Sequence, residues 1–213
     1  MSQKVLVTAG GAGIGLEIVK AFTASGATVF VCDVNETALK QLEQNVAGVA
    51  TKVCDISKRS DVEGMVAFGA EALGGLDVLV NNAGIAGPTA AVEEINPDDW
   101  EKVMQVNING TFYVTRIAIP FLKKSSAGVI INISSVAGRF GYEKRSPYST
   151  AKWGIIGFTK TLSIELGKYG IRANAILPGV VAGPRIDAVL QARADANHTT
   201  FDQERDKAMS IQS

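Results

Sequence analysis

Apolar residues along this chain fall into two alternating patterns. Short unbroken runs are separated by longer stretches in which apolar positions recur every three or four residues. The runs Lys4–Thr8, Thr28–Asp33, Val49–Cys54, Leu76–Val80, Gly128–Ile133 and Ile171–Leu177 each end on or lead into glycine, proline or a short polar residue, which predicts strands. The amphipathic stretches predict helices from a glycine turn after Thr8 to about Ser25, over Glu36–Gln44, and over Lys58–Leu73 up to Gly74-Gly75. A long helix is expected from Asn96 to about Lys123, with Asn96 as cap, Pro97 at the first position, and Asp98 and Asp99 in the first turn. Pro147 suits the start of a further helix that carries Tyr148 and runs to about Tyr169, where Gly170 suits the stop.

Strands that alternate with helices predict an α/β fold, a doubly wound parallel sheet with helices on both faces. The strand segments read as largely continuous apolar runs, as expected when both faces are covered. In such sheets ligands bind beyond the carboxyl ends of the strands. The polar features of the chain gather there: the glycine turn, Asp33, Asp55, Asn81–Gly84, Ser135 and Pro178-Gly179.

Composition narrows the class. At 213 residues, 46% apolar and with 22 glycines, the chain suits one good-sized domain with a buried core. Basic and acidic residues balance at 21 each, which points to neither nucleic acid nor an anionic membrane as partner. No signal peptide is expected ahead of Lys4, and no apolar run is long enough for a membrane span. Cys32 and Cys54 read as free buried thiols in a reducing, cytoplasmic setting. The single histidine, His198, argues against a zinc site or a Ser-His-Asp triad and reads as a surface residue.

The candidate chemistry centres on Ser135, Tyr148 and Lys152. Tyr148 and Lys152 are i and i+4 on the predicted helix, so both project from one face. A free tyrosine is a poor acid or base at neutral pH, and a nearby ammonium favours its phenolate. A Ser135 hydroxyl could hydrogen-bond a substrate oxygen, and together these groups could move a proton on and off a secondary alcohol. The bland reading of the pair is an ordinary surface contact. The segment Thr8-Ala9-Gly10-Gly11-Ala12-Gly13-Ile14-Gly15, between a strand and a helix, suits a pyrophosphate at a helix N-terminus. Asp33, about 20 residues beyond Gly13, stands where a carboxylate accepts hydrogen bonds from a ribose. It would repel a 2′-phosphate, and Ala12 and Val34 supply no cation to attract one. This favours NAD over NADP; a simple turn-capping role for Asp33 is the alternative.

With these motifs in order, the chain resembles the short-chain dehydrogenase/reductase family, from residue 4 to about 184. The family's Thr-Gly-x-x-x-Gly-x-Gly is present as Thr8–Gly15, its Asn-Asn-Ala-Gly as residues 81–84, and its Val-Asn-x-x-Gly-x-Phe as Val106 to Phe112. Its Ser and Tyr-x-x-x-Lys are Ser135 and Tyr148 with Lys152, and its Pro-Gly is Pro178-Gly179. The resemblance implies a single-domain Rossmann fold and a catalytic set of Asn107, Ser135, Tyr148 and Lys152. Tyr148 would be the general acid/base, Lys152 would tune it and hold the nicotinamide ribose, and Ser135 would orient the substrate oxygen. Asn107 would bind a water that relays protons, with Asn109 as rival. Gly13, Ile14, Asp33, Asp55, Ile56, Asn82, Tyr148, Lys152, Pro178 and Val181 would contact the cofactor. For Asp55 and Asn82, turn-stabilising roles are the bland alternative.

Three departures from the family pattern carry expectations. Ala9 replaces a glycine, which the turn tolerates only at negative φ. Gly183 replaces a threonine that contacts the cofactor's carboxamide in many members. The chain ends at Ser213, where the family continues through another helix and an edge strand, so a sheet without that last strand is expected. Residues 1–184 would then form the cofactor-binding part, and 185–213 a helical substrate lid of the same domain. Arg185 could anchor an anionic substrate, although a solvated helix face is the plainer reading; Arg139, Tyr142 and Arg145 have similar standing.

The leading function is NAD-dependent interconversion of a secondary alcohol and a ketone, on a small-molecule substrate. The substrate is a 3-oxoacyl thioester or, alternatively, a sugar or polyol. Another class, a non-catalytic NAD-binding or scaffold protein, is the competing reading. An epimerase of the extended branch is disfavoured because Ala12 breaks its glycine spacing. The resemblance also implies a homo-oligomer, a tetramer or dimer.

Overall fold

The computed structural model describes residues 2–210. Its strands are β1 (Lys4–Thr8), β2 (Thr28–Asp33), β3 (Val49–Val53), β4 (Val78–Asn81), β5 (Val129–Ile133) and β6 (Arg172–Ile176). Every neighbouring pair is parallel, and the order is β3-β2-β1-β4-β5-β6. The connections are α1 (Gly13–Ala24), α2 (Glu36–Asn45), α3 (Arg59–Ala72), α4 (Pro97–Met104), α5 (Thr111–Leu122) and α6 (Ser146–Gly167), followed by α7 (Pro184–Asn197) and α8 (Phe201–Ser210). This is a single α/β domain of the Rossmann type.

Alternate side chains of each strand feed opposite cores. Leu6, Phe30, Leu79 and Ile130 pack with Val62 and Met65 of α3, Val114 and Leu122 of α5, and Leu162 of α6. Val5, Val7, Val31 and Val80 pack with Val19 of α1 and with Leu39 and Leu42 of α2. Fully burying one such side chain stabilises by about 1.5–3 kcal/mol, so the apolar runs of β1, β2 and β4 are strands because only a two-sided sheet buries both their faces, while the edge strands β3 and β6 stay partly exposed. Cys32 and Cys54 are free thiols within this interior. Polar caps fix two helix starts: the Asn35 side chain accepts from the Ala38 amide, and Asn96 from the Asp98 amide, each at 3.0 Å.

The helix expected from Asn96 to Lys123 is not continuous. A wider π-type turn over Gln105–Gly110 separates α4 from α5. Packing explains the interruption. A Cβ on Gly110 would lie 2.7 Å from Ile56, and Asn107 turns inward to bond the backbone of Ile85. Such turns concentrate at functional sites.

The sheet order reverses between β1 and β4, so the loops after these strands diverge and open a crevice at the carboxyl edge. Among the described residues, β6 has a strand neighbour on one side only.

Candidate active site

A cavity of about 980 Å³ opens along that crevice. The glycine turn and Asp33 line one end, and Ser135, Tyr148 and Lys152 the other. Of the sequence-predicted residues, Gly13, Ile14, Asp33, Asn82, Ser135, Tyr148, Lys152, Pro178 and Val181 all border it, whereas Asp55, Ile56 and Asn107 do not.

The turn after β1 departs from expectation at Ala9, whose φ is +51°, not negative. The geometry around its carbonyl accounts for this. That oxygen accepts from Asn82 Nδ2 at 2.9 Å and sits where a Cβ on Gly15 would come within 2.1 Å. The carbonyl is therefore clamped between β4's end and the start of α1, and the backbone must enter the left-handed region to deliver it. An L-residue there is strained. Ala9→Gly should raise stability by about 0.5–1 kcal/mol, or about 1–4 °C in Tm. A thermal melt checks this, and a lowered Tm would show that the strain is absent. Beyond the turn, no side chain among the described residues caps the N-terminus of α1. Its first amides are thus free for an anionic group, which fits the pyrophosphate of a dinucleotide.

Asp33 holds this turn against β2. Its carboxylate accepts from the amides of Gly11 and Asn35, each at 3.0 Å, while it also borders the cavity. Turn-capping and cavity-lining are therefore combined in one side chain. Asp55 is turned onto its own loop, where one oxygen accepts from the Ser57 amide at 3.0 Å and the Ser57 hydroxyl at 2.7 Å. Asn82 donates to the carbonyls of Thr8 and Ala9, tying β4 to β1. Ile56 is buried against Gly110.

At the other end, Pro147 lies in the first turn of α6, and the turns that follow carry Tyr148 and Lys152 on one face. Lys152 is only 4% exposed, and its Nζ donates to the Ile133 carbonyl at 2.8 Å. Ser134 Oγ donates to the Lys152 carbonyl, also at 2.8 Å, so α6 is pinned to the end of β5 from both directions. Burial, and then the Arg185 charge, push the Lys152 ammonium down to a pKa of about 7. Ser135 Oγ accepts from the Ala137 amide at 3.2 Å, which leaves its own proton to be donated toward the cavity. Among the described residues, nothing hydrogen-bonds the Tyr148 hydroxyl.

Asn107 is buried behind this face. Its Oδ1 accepts from the Ile85 amide at 2.8 Å and its Nδ2 donates to the Ile85 carbonyl at 3.0 Å. Gly84 separates it from the lysine: a Cβ there would lie 3.2 Å from Asn107 Oδ1 and 3.5 Å from Lys152 Nζ. Asn109 instead faces Gln105, to whose Oε1 it donates at 2.6 Å.

Two features take places in the structure that the sequence reading did not give them. Arg145 is buried, donates to the Ala86 carbonyl at 2.8 Å and Thr89 Oγ1 at 3.0 Å, and stacks 5.3 Å from the Tyr148 ring centre. Burial and Arg193 hold its pKa down to about 10, so it stays charged at neutral pH. Its position one turn ahead of Tyr148 was the available signal. Gly183 has φ +146° just before α7, a conformation that a threonine would adopt only under strain. That explains why glycine stands where the family pattern has threonine.

The family profile described as short chain dehydrogenase matches residues 3–194. A D-beta-hydroxybutyrate dehydrogenase of Cupriavidus necator is 38% identical over 196 residues, covering 90% of this chain and 76% of that protein. An L-fucose dehydrogenase of Bos taurus is 36% identical over 195 residues, covering 92% and 72%. Among solved structures, NAD+-bound xylitol dehydrogenase aligns with a TM-score of 0.88 at 31% identity, covering 91% of this chain and 76% of that one. Actinorhodin polyketide ketoreductase with NADPH aligns with a TM-score of 0.88 at 36% identity, covering 95% and 79%.

Proposed function

Because the chain belongs to the short-chain dehydrogenase family, we propose that it is an NAD-dependent oxidoreductase whose Tyr148 exchanges a proton with a secondary alcohol or its ketone. The observation that carries this reading is the single cavity joining an uncapped helix N-terminus and Asp33 to Ser135, Tyr148 and Lys152. Bound NAD would supply the hydride acceptor, and the protein supplies position and proton. Ser135 donates to the substrate oxygen and holds it at the Tyr148 hydroxyl. Tyr148 takes the proton from the alcohol during oxidation and returns it during reduction. Lys152, titrating near neutrality, passes that proton inward, with Asn107 placed behind it across Gly84 to order a relay. The amides of Gly13 and Ile14 would face the pyrophosphate, and Pro178 and Val181 the nicotinamide end. Helices α7 and α8 form the substrate-side wall, and substrate enters beneath them.

NAD is preferred on the strength of Asp33. Its charge borders the cavity with no cation in ion-pair contact among the described residues. Asp33→Asn removes the charge and keeps a hydrogen-bond acceptor for the turn. It should lower the NAD-over-NADP ratio of kcat/KM by at least about tenfold, the equivalent of ~1.4 kcal/mol. An unchanged ratio would sink the cofactor assignment. Reduced-nicotinamide formation from a panel of alcohols tests the function itself, and binding of NAD without turnover of any alcohol would favour the non-catalytic reading. The panel begins with the classes named for the relatives: a hydroxy acid, a sugar, and a polyketide or other 3-oxoacyl chain. Assembly as a homo-oligomer belongs to the same reading, supported by the apolar residues Phe112, Trp153 and Ile164 exposed on α5 and α6. Two free buried thiols accord with a cytoplasmic setting.

A further inference from the structure

Four cations border the substrate end of the cavity: Arg145, Lys152, Arg185 and Arg193. Among the described residues, no carboxylate lies in ion-pair contact with any of them. Two are already committed. Lys152 donates to the Ile133 carbonyl, and Arg145 to Ala86 and Thr89. The other two are not. Arg185 and Arg193 both project from α7, with guanidinium centres 5.9 Å from the Tyr148 ring centre and 4.8 Å from that of Tyr142. Among the described residues neither finds a hydrogen-bond acceptor. Glu204 feels the Arg193 charge, but its carboxylate is hydrogen-bonded by Asn197 Nδ2 at 3.1 Å and the Thr199 hydroxyl at 2.9 Å and makes no ion-pair contact with the guanidinium.

Solvated arginines resting on aromatic rings would account for either residue singly. They do not account for two from one helix, both turned to the cavity and both lacking acceptors, above the proposed proton-exchanging residue. Like charges are also felt there: Arg185 and Arg193 each depress the pKa of Arg145, and Arg185 that of Lys152. An anion entering this space would relieve that repulsion.

We propose that Arg185 and Arg193 form a carboxylate clamp, and that the substrate is a small hydroxy or oxo acid whose carboxylate they hold while its hydroxyl or carbonyl meets Tyr148. This rests on the dehydrogenase reading above and specifies its substrate class. The guanidinium fork matches a carboxylate in two parallel hydrogen bonds. The 5.9 Å between Arg185 and the Tyr148 ring places acid and reacting oxygen within the span of one small molecule. A neutral polyol would leave both forks empty, and an acyl thioester carries no charge beside its reacting carbon.

The test uses the full chain saturated with NADH. Short-chain oxo acids and their methyl esters are titrated in, with binding read from bound-nicotinamide fluorescence. At least one acid should bind about tenfold or more tighter than its ester, and Arg185→Gln and Arg193→Gln should each erase about tenfold of that preference. The NADH affinity of both variants should stay within about twofold of the parent. Esters binding as well as acids, or an acid preference that survives both substitutions together, would overturn the clamp. So would weaker NADH binding in Arg185→Gln with the acid preference intact, since that assigns the guanidinium to the cofactor. Acid-selective binding with no hydride transfer would uphold the clamp and remove the dehydrogenase reading instead.

Discussion

Tyr148→Phe should lower kcat by about 10²–10⁴-fold, the range for losing a positioned proton donor, with NADH affinity nearly unchanged. The substitution is clean because the hydroxyl has no partner among the described residues. The ring, with Arg145, Lys152 and Arg185 at 5.3–5.9 Å from its centre, stays in place. Single-turnover hydride transfer and NADH binding, measured on the same sample, separate chemistry from folding. Turnover within a few-fold of the parent would mean that another group moves the proton. Parallel loss of NADH binding would mean that the residue is structural.

Much of this site was legible in the sequence, for physical reasons. Strands that must bury both faces leave unbroken apolar runs, so β1 and β2 were read with their observed bounds and the other strands within two residues. Caps such as Asn96 act within a few residues and carry their own signal. The parallel topology then follows from alternation, and it brings Asp33, Ser135 and Tyr148 to one edge. What escaped depends on contacts far apart in the chain. The φ of Ala9 is set by Asn82, more than 70 residues away, and the turn at Gln105–Gly110 by Ile56 and Ile85. The engagement of Arg145 with the Ala86–Thr89 loop is likewise invisible locally. Asp55 shows the converse. Both a cofactor contact and a turn-stabilising role were readable for it, and the fold shows the second, with one carboxylate oxygen held by Ser57.

Replacing Lys152 by methionine should stabilise the protein most at low pH. The lysine pKa is about 7 in the folded chain against the usual 10.5. Below about 7 both states carry the charge, and the folded state bears the full cost of burying it. Between about 7 and 10.5 the unfolded chain holds the extra proton, so the stability of the parent rises with pH through this window. Above it both states are neutral and the cost is gone. Urea denaturation of parent and Lys152→Met at pH 6 and pH 9.5 should show the variant's advantage shrinking by a few kcal/mol, on the order expected from linkage. A difference that does not change with pH would place the lysine in a wetter site than the fold shows. Hydride transfer should fall in the same variant, because methionine can neither pass a proton nor hydrogen-bond a ribose.

Beneath the site, Asn81 and Asn132 are direct partners across β4 and β5, and Asn81 Nδ2 donates to Asn132 Oδ1 at 2.8 Å. Asn132 in turn donates to Thr159 of α6 at 2.8 Å. Sliding β5 by one residue would throw Asn132 to the opposite face and strand a buried amide. The pair therefore works as an alignment pin during folding, choosing one pairing of two otherwise interchangeable greasy strands. Because Ser135 follows β5, Asn82 follows β4 and Thr159 shares a helix with Tyr148, the same pin sets the relative heights of the reacting groups. Errors introduced there would surface as slow chemistry in a protein whose chemical groups are all intact.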